Sequence, residues 1–247
     1  MSDDRQYIDS IRPERLRERL WRLVQVAGPT GRERAVAMVF AELLRQAGAQ
    51  VEIDHTLPDS PNVIGRLKGN APGPTLQLAG HLDHINIPHP PPERTAERIS
   101  GRGAADMKNG LAGILEIVDV LHASGNAFSG EILVTAYGLH EAPDGDSRGL
   151  LNLIERGVKG HAAIVFEGPD DAAAIMANGM AIWTLTLKSS TPACHELCTQ
   201  QDKFALADGL AACLAALKEK DRQLKNRPPK YPLLPGESLF EIGRAHV

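Results

Sequence analysis

The stretch TLQLAGHLDHINIP, Thr75 to Pro88, joins an apolar run to a cluster of histidine and aspartate. Thr75–Gly80 is apolar enough for a buried strand, and His81 follows it directly. Asp83 comes two residues later, so at extended spacing the His81 and Asp83 side chains point the same way. This suits a metal-bound imidazole whose second ring nitrogen is held by a carboxylate. For an isolated pair, a loop histidine beside a capping aspartate is the commoner explanation.

Strands and helices alternate on both sides of this stretch, which predicts an α/β fold with a mostly parallel sheet flanked by helices. Thr30 and Glu33 have the spacing of a capping box at the start of one helix. Residues 88–99 are rich in proline and polar residues, which indicates a loop. Hydrophobic periodicity predicts helices at 12–27, 30–47, 110–125 and 150–157, and strands at 51–53, 62–67, 75–80, 131–138 and 162–167.

The pattern changes after Asn178-Gly179, where we predict the start of a second, smaller α+β domain. Residues 180–190 alternate like a half-exposed strand, and 203–220 have the spacing of an amphipathic helix. We therefore divide the chain into domains 1–178 and 179–240. The last segment, 241–247 (EIGRAHV), matches the translation of a common sequencing adapter, and we expect it to be an artefact.

Three further segments carry potential metal ligands. Asp106 lies in GRGAADMKNGLAG (101–113), His140 and Glu141 follow an apolar strand, and Glu167 ends another. Asp106 also fits a helix N-cap and Glu167 a simple surface position, while the glycines do not match a dinucleotide-binding loop. Because ligands collect at the carboxyl edge of such sheets, we expect these side chains to converge there with His81. Histidine with carboxylates suits Zn²⁺ or a similar divalent ion, and two ions need a bridging carboxylate.

Composition excludes some classes of partner. The 247 residues carry a formal net charge of −4 with a pI near 6.1, which argues against nucleic-acid binding. No apolar stretch approaches the roughly 20 residues that span a bilayer, and the N-terminus lacks a signal-like apolar segment. Three cysteines without a regular framework predict a reduced, cytoplasmic protein.

The two motifs, GHLDHINIP and GRGAADMKNGLA, resemble the G-H-x-D-x-V-P and G-R-G-x-x-D-M-K-G-G-x-A segments of the dinuclear-zinc metallopeptidases and deacylases. That family includes the aminoacylases, acetylornithine deacetylase, succinyl-diaminopimelate desuccinylase and glutamate carboxypeptidase. The resemblance runs through residues 12–220 in order. It implies a zinc-exopeptidase-like fold with a lid and dimerisation domain, and a hydrolase that cleaves an amide bond of a peptide or an N-acyl amino acid.

The resemblance also implies the site. His81 would bind one metal ion and Asp83 would orient it, while Asp106 would bridge two ions, most simply Zn²⁺ or alternatively Co²⁺. Glu141 and Glu167 would each be a terminal ligand of one ion. Where the family has two adjacent glutamates, this chain has His140-Glu141. Either His140 is the general base, which we favour, or Glu141 is the base and a ligand is lost at Ala142.

In the second domain, TPACHELC (191–198) occupies the place of a family segment that ends in histidine. His195 is either a surface-loop histidine or, as the resemblance implies, a catalytic residue that reaches across a homodimer to stabilise the oxyanion. The family's last histidine ligand has no counterpart before residue 241, so we expect an incomplete, inactive fragment. The alternative is a non-catalytic relative that acts as a binding module, for which the missing glutamate is the best support.

Overall fold

The computed structural model describes residues 5–167, 185–188 and 205–229. The chain divides into two compact units, Met1–Gly168 and Pro169–Val247. Within the described ranges, no helix is both long and apolar enough to cross a membrane.

A five-stranded sheet forms the centre of the first unit, in the order β1-β2-β6-β3-β7. β3 pairs in parallel with β6 and β7, whereas β2 pairs antiparallel with β1 and β6. Four strands therefore run in one direction and β2 in the other, which confirms the mostly parallel sheet. The strands of the whole unit are β1 (Gln50–Asp54), β2 (Asn62–Lys68), β3 (Ala71–His81), β4 (Glu93–Arg94), β5 (Ile99–Ser100), β6 (Ser129–Tyr137) and β7 (Ala162–Val165).

Helices cover both faces of the sheet, because alternate residues of each central strand point to opposite sides. Val63, Leu78 and Val134 pack with apolar residues of α2, α3 and α4 on one face. Ile64, Ala79 and Leu133 pack against Leu153 of α5 on the other. In chain order the helices are α1 (Arg5–Asp9), α2 (Pro13–Val24), α3 (Arg34–Gln46), α4 (Asn109–Ala123), α5 (Arg148–Glu155) and, in the second unit, α6 (Ala205–Lys225).

Two local predictions differ from the structure. The predicted loop 88–99 contains β4 and the first residue of β5, a short antiparallel pair in which Glu93 and Arg94 lie opposite Ser100 and Ile99. Residues 185–188, which fall in a predicted strand at 180–190, form no regular structure, and the rest of that segment lies outside the described residues.

The predicted capping box at the start of α3 is wrong. Glu33 itself occupies the N-cap position, and no side chain caps the helix. The hydroxyl of Thr30 instead donates to the carbonyl of His84 at 3.2 Å. One carboxylate oxygen of Glu33 accepts from the amides of Gly31 at 2.7 Å and Leu139 at 2.9 Å. Thr30 and Glu33 therefore bond to residues far away in the sequence and not to each other's backbone amides, as the capping box would require.

A buried ion network joins α2 to α4. The Glu116 side chain, 3% exposed, accepts from the Arg15 guanidinium at 2.6 and 2.7 Å and from Arg19 at 2.8 Å. The backbone amide of Arg12 also donates to it at 2.8 Å. Asp119 completes the network with contacts of 2.7 Å to Arg15 and 2.9 Å to Arg19. Since both oxygens of the buried Glu116 carboxylate accept from α2 and the residue before it, Glu116 fixes how the first long helix lies on α4.

We expect Glu116→Ala to lower the free energy of unfolding by about 3 kcal/mol, because it leaves the buried Arg19 charge without its main partner. Chemical denaturation followed by circular dichroism measures this. Glu18→Gln is the matched control, since the Glu18–Arg94 pair is exposed and should contribute less than about 1 kcal/mol. Equal effects of the two substitutions would contradict the role of the network.

Candidate metal centre

The carboxyl ends of three parallel strands bring the predicted side chains together. His81 is the last residue of β3 and lies opposite Tyr137, the last residue of β6. His140 and Glu141 follow β6, and Glu167 follows β7. Because β3 lies between β6 and β7 and all three run in the same direction, these side chains share one edge of the sheet.

Asp106 reaches this edge from an irregular segment, Ala104–Lys108, that precedes α4. Its Oδ1 lies 3.0 Å from the Nε2 of His81, and its side chain is 61% exposed. The peptide bond from Asp106 to Met107 is cis. The N-cap of α4 is Lys108, without a side-chain hydrogen bond, so Asp106 does not cap that helix.

Gly80 allows Met107 to pack directly against the end of β3. A Cβ at position 80 would lie 2.4 Å from the Cε of Met107. The amide of His81 then donates to the Met107 sulfur at 3.1 Å. Met107 thereby fixes the position of Asp106 beside the histidine, which gives a physical reason for a glycine immediately before His81.

His81 is fully buried and tied to Asp83. Its Nδ1 lies 3.1 Å from the Asp83 carbonyl and 3.4 Å from the Asp83 Oδ1. Burial lowers the pKa of His81, but hydrogen bonding and charge from Asp83, followed by Glu167 and Asp106, outweigh it and raise the pKa to about 9. With Nδ1 held in this way, Nε2 is the ring nitrogen that faces Asp106 and remains for a ligand.

Asp83 also holds the turn after β6. Its Oδ2 accepts from the amides of His140 at 3.0 Å and Glu141 at 2.8 Å. Burial raises the pKa of Asp83, but the hydrogen bonds from His81 and the Glu141 amide prevail and lower it. Asp83 is therefore ionised at neutral pH, and a single buried carboxylate positions the imidazole of one strand and the turn of the next.

The side chains form two overlapping groups that could hold a metal ion. His81, Asp106 and Glu141 offer ligand atoms within 4.8 Å of one another, and so do His81, His140 and Glu167. The ring of His140 stacks on His81 with centroids 4.5 Å apart, and its Nε2 lies 3.7 Å from the Glu167 Oε2.

The carboxylates of this site have opposite pKa shifts. The pKa of Glu167 is lowered, chiefly by the neighbouring imidazole of His140. The pKa of Glu141 is raised, first by burial and then by the charge of Asp106. A cation beside Glu141 and Asp106 would relieve their repulsion. An oriented imidazole nitrogen among several carboxylates is a donor set that suits a divalent ion such as Zn²⁺.

His195, the residue predicted to stabilise the oxyanion, lies outside the described residues.

Two buried charged residues near this edge were not predicted as site residues from the sequence. Lys108 is fully buried, donates to the Val26 carbonyl at 3.0 Å, and has its pKa lowered by burial to about 8. Glu33, also fully buried, bonds to the turn after β6. Lys108 is part of the Asp106-Met107-Lys108 motif, but the motif does not reveal that Lys108 is buried, because its burial depends on the tertiary fold.

Comparison with known proteins identifies the family. Residues 77–228, well over half of the chain, match the family described as "Peptidase family M20/M25/M40". The chain belongs to this family. The resemblance to the metallopeptidases and deacylases is therefore confirmed, and divalent metal ions are typical of M20 hydrolases.

Individual relatives agree with this assignment. N-formyl-4-amino-5-aminomethyl-2-methylpyrimidine deformylase of Halalkalibacterium halodurans is 32% identical over 166 residues, which cover 60% of this chain and 38% of the relative. Succinyl-diaminopimelate desuccinylase of Methylobacterium radiotolerans is 33% identical over 138 residues, 49% of this chain and 33% of the relative.

A solved structure shows the same fold. A tripeptidase from Staphylococcus aureus matches with a TM-score of 0.52 and 23% identity, over 66% of this chain and 45% of the tripeptidase. The matches thus span less than half the length of each of these three proteins.

We expect metal binding at this centre to release a proton. Since the pKa of His81 is about 9, its ring is protonated at neutral pH before an ion binds, and the ion must displace that proton. Zn²⁺ affinity should therefore rise about tenfold per pH unit between pH 7 and 8 and level off above pH 9. Calorimetry in two buffers of different ionisation enthalpy counts the protons. A Zn²⁺ affinity independent of pH in this range would contradict the assignment of His81.

Proposed function

We propose that the protein is a metal-dependent hydrolase that cleaves an amide bond of a peptide or an N-acyl amino acid. Its family and the names of two relatives, a deformylase and a desuccinylase, support removal of an acyl group from nitrogen. The single observation that carries the proposal is the convergence of His81, Asp106, Glu141 and Glu167 at one sheet edge.

In the proposed site, His81 and Glu167 would hold one ion, Glu141 would hold a second, and Asp106 would bind both. Asp106 is suited to this because its carboxylate has two oxygens, is exposed and lies against His81. Asp83 orients His81 through Nδ1. When bound, two divalent ions, most simply Zn²⁺ or alternatively Co²⁺, would supply Lewis acidity and lower the pKa of a shared water.

His140 is the proposed general base. Its side chain is 35% exposed, so solvent and substrate can reach it, and its Nε2 faces the Glu167 carboxylate at 3.7 Å. A carboxylate at this distance stabilises the imidazolium that forms when His140 accepts a proton. Glu141 is the proposed ligand of the pair, because it groups with His81 and with Asp106, the proposed bridging residue.

The remaining parts of the proposal follow the family. His195 of a partner subunit would stabilise the oxyanion in a homodimer, with domain 179–240 as part of the lid. The protein would work in the cytoplasm on small peptide or N-acyl substrates, within a longer catalytic unit than the described residues form.

Chelation tests the proposed function. We expect amide hydrolysis by the full-length protein, measured on N-formyl, N-acetyl and N-succinyl amino acids and on dipeptides, to fall roughly a hundredfold or more after prolonged chelation. Zn²⁺ or Co²⁺ should restore it, whereas Mg²⁺ should not, because imidazole suits the softer ions. Activity that survives complete metal removal would contradict the proposal. Stoichiometric metal without turnover on any substrate would favour the binding module instead.

Substitution of His140 tests the base. His140→Ala should lower kcat by at least about a hundredfold, with KM and metal content little changed, because a general base typically contributes that much. His55→Ala is the control, since His55 is an exposed loop residue between β1 and β2. Full activity of His140→Ala, or loss of metal from it, would refute the assignment.

A further inference from the structure

The turn Gly138–Glu141 carries His140 and Glu141, the two residues that follow β6 into the site. Three consecutive amides of this turn, those of Leu139, His140 and Glu141, donate to buried carboxylates from other parts of the chain. The amide of Leu139 donates to Glu33 at 2.9 Å, and those of His140 and Glu141 donate to Asp83 at 3.0 and 2.8 Å. Leu139 has a positive φ of 58°, a conformation that an L-residue with a side chain adopts at a cost. External hydrogen bonds therefore determine this backbone, since local preference opposes it.

Glu33 is built closely into the turn. It is fully buried and lies 106 positions from Leu139 in the sequence. A Cβ at position 138 would lie 2.7 Å from the Glu33 carboxyl carbon and 2.3 Å from the Ser60 hydroxyl oxygen. Only glycine lets the turn approach Glu33 this closely. The close contact between Glu33 and the turn therefore requires glycine at position 138.

A role for Glu33 in α3 does not explain its burial. No side chain caps the first turn of α3, and the local partner of Glu33 is Gly31, in the loop before the helix. Burial of a carboxylate is costly unless its hydrogen bonds offset the lost hydration. The bond that reaches outside this loop is the one to Leu139, directly before the two site residues.

We propose that Glu33 is a positioning residue that fixes the turn carrying His140 and Glu141, and so sets where these two groups face the metal centre. Glu33 and Asp83 act as a pair, because they hold three successive amides from opposite ends of the turn. The proposal rests on the proposed function for its consequence in catalysis, but the contact itself is a property of the fold.

Two substitutions at Glu33 separate the effect of side-chain length from the effect of charge. Glu33→Gln keeps an oxygen that can accept from Gly31 and Leu139 but removes the charge. Glu33→Asp keeps the charge but withdraws the carboxylate by about 1.5 Å, one carbon–carbon bond, which breaks the bond to Leu139. Glu116→Ala is the matched control, because it removes a buried carboxylate that joins α2 to α4 and makes no contact with the turn.

The first measurement is Zn²⁺ affinity of the full chain, at a temperature where circular dichroism shows each variant to be folded. Glu33→Asp should bind Zn²⁺ about 10- to 100-fold more weakly, the usual effect of losing a residue that orients a ligand. Glu33→Gln should stay within about threefold of the unsubstituted protein. Glu116→Ala should lose stability without losing affinity. Unchanged affinity in Glu33→Asp, or an equal loss in Glu116→Ala, would overturn the proposal.

The second measurement does not depend on metal. Hydrogen exchange of the Leu139, His140 and Glu141 amides should be about tenfold faster in Glu33→Asp and unchanged in Glu33→Gln and Glu116→Ala. If the unsubstituted chain binds no Zn²⁺, the proposed function fails. The exchange pattern still shows in that case whether Glu33 positions the turn. If exchange at these amides is the same in all variants, the positioning role fails while Zn²⁺ binding stands.

Discussion

The buried carboxylate of Asp83 is the interaction on which the site depends. It lies between two neighbouring parallel strands, with one oxygen near the Nδ1 of His81 at the end of β3. The other oxygen accepts from two amides in the turn after β6. Burial of a charge without such partners would cost several kcal/mol, so the partners and the carboxylate require one another. The same charge that fixes the turn also raises the pKa of His81, and thereby links the geometry of the site to its protonation.

The order of the strands in the sheet brings these residues together. β3, β6 and β7 are adjacent and parallel, so the residues that follow them meet at one edge without a long loop. The two apolar layers and the Glu116 network stabilise the unit that carries this edge. The edge itself can therefore hold buried charges and a positive φ at Leu139, because the rest of the unit stabilises the fold.

The sequence predicted most of the helices and strands, since hydrophobic periodicity and burial have the same physical origin. It also predicted which side chains would meet, because His81, His140, Glu141 and Glu167 each follow a parallel strand. It could not predict the partner of Glu33. The Thr30–Glu33 spacing favours a local capping box, whereas the structure uses a hydrogen bond to Leu139, far away in the chain. No local pattern encodes a contact of that sequence separation.

The geometry also restricts how two ions could share these ligands. Both potential groups contain His81, but its Nδ1 is occupied by Asp83, so its Nε2 can bind a single ion. The shared ligand must then be one with two donor atoms, and Asp106, whose Oδ1 lies 3.0 Å from that Nε2, has a second oxygen on an exposed side chain. If His140 became a ligand of the ion at His81, it could no longer accept a proton. His140 can therefore be a base or a metal ligand, but not both. Because its ring stacks on His81, loss of either role would lower the rate, and only the metal content of a His140 variant distinguishes them.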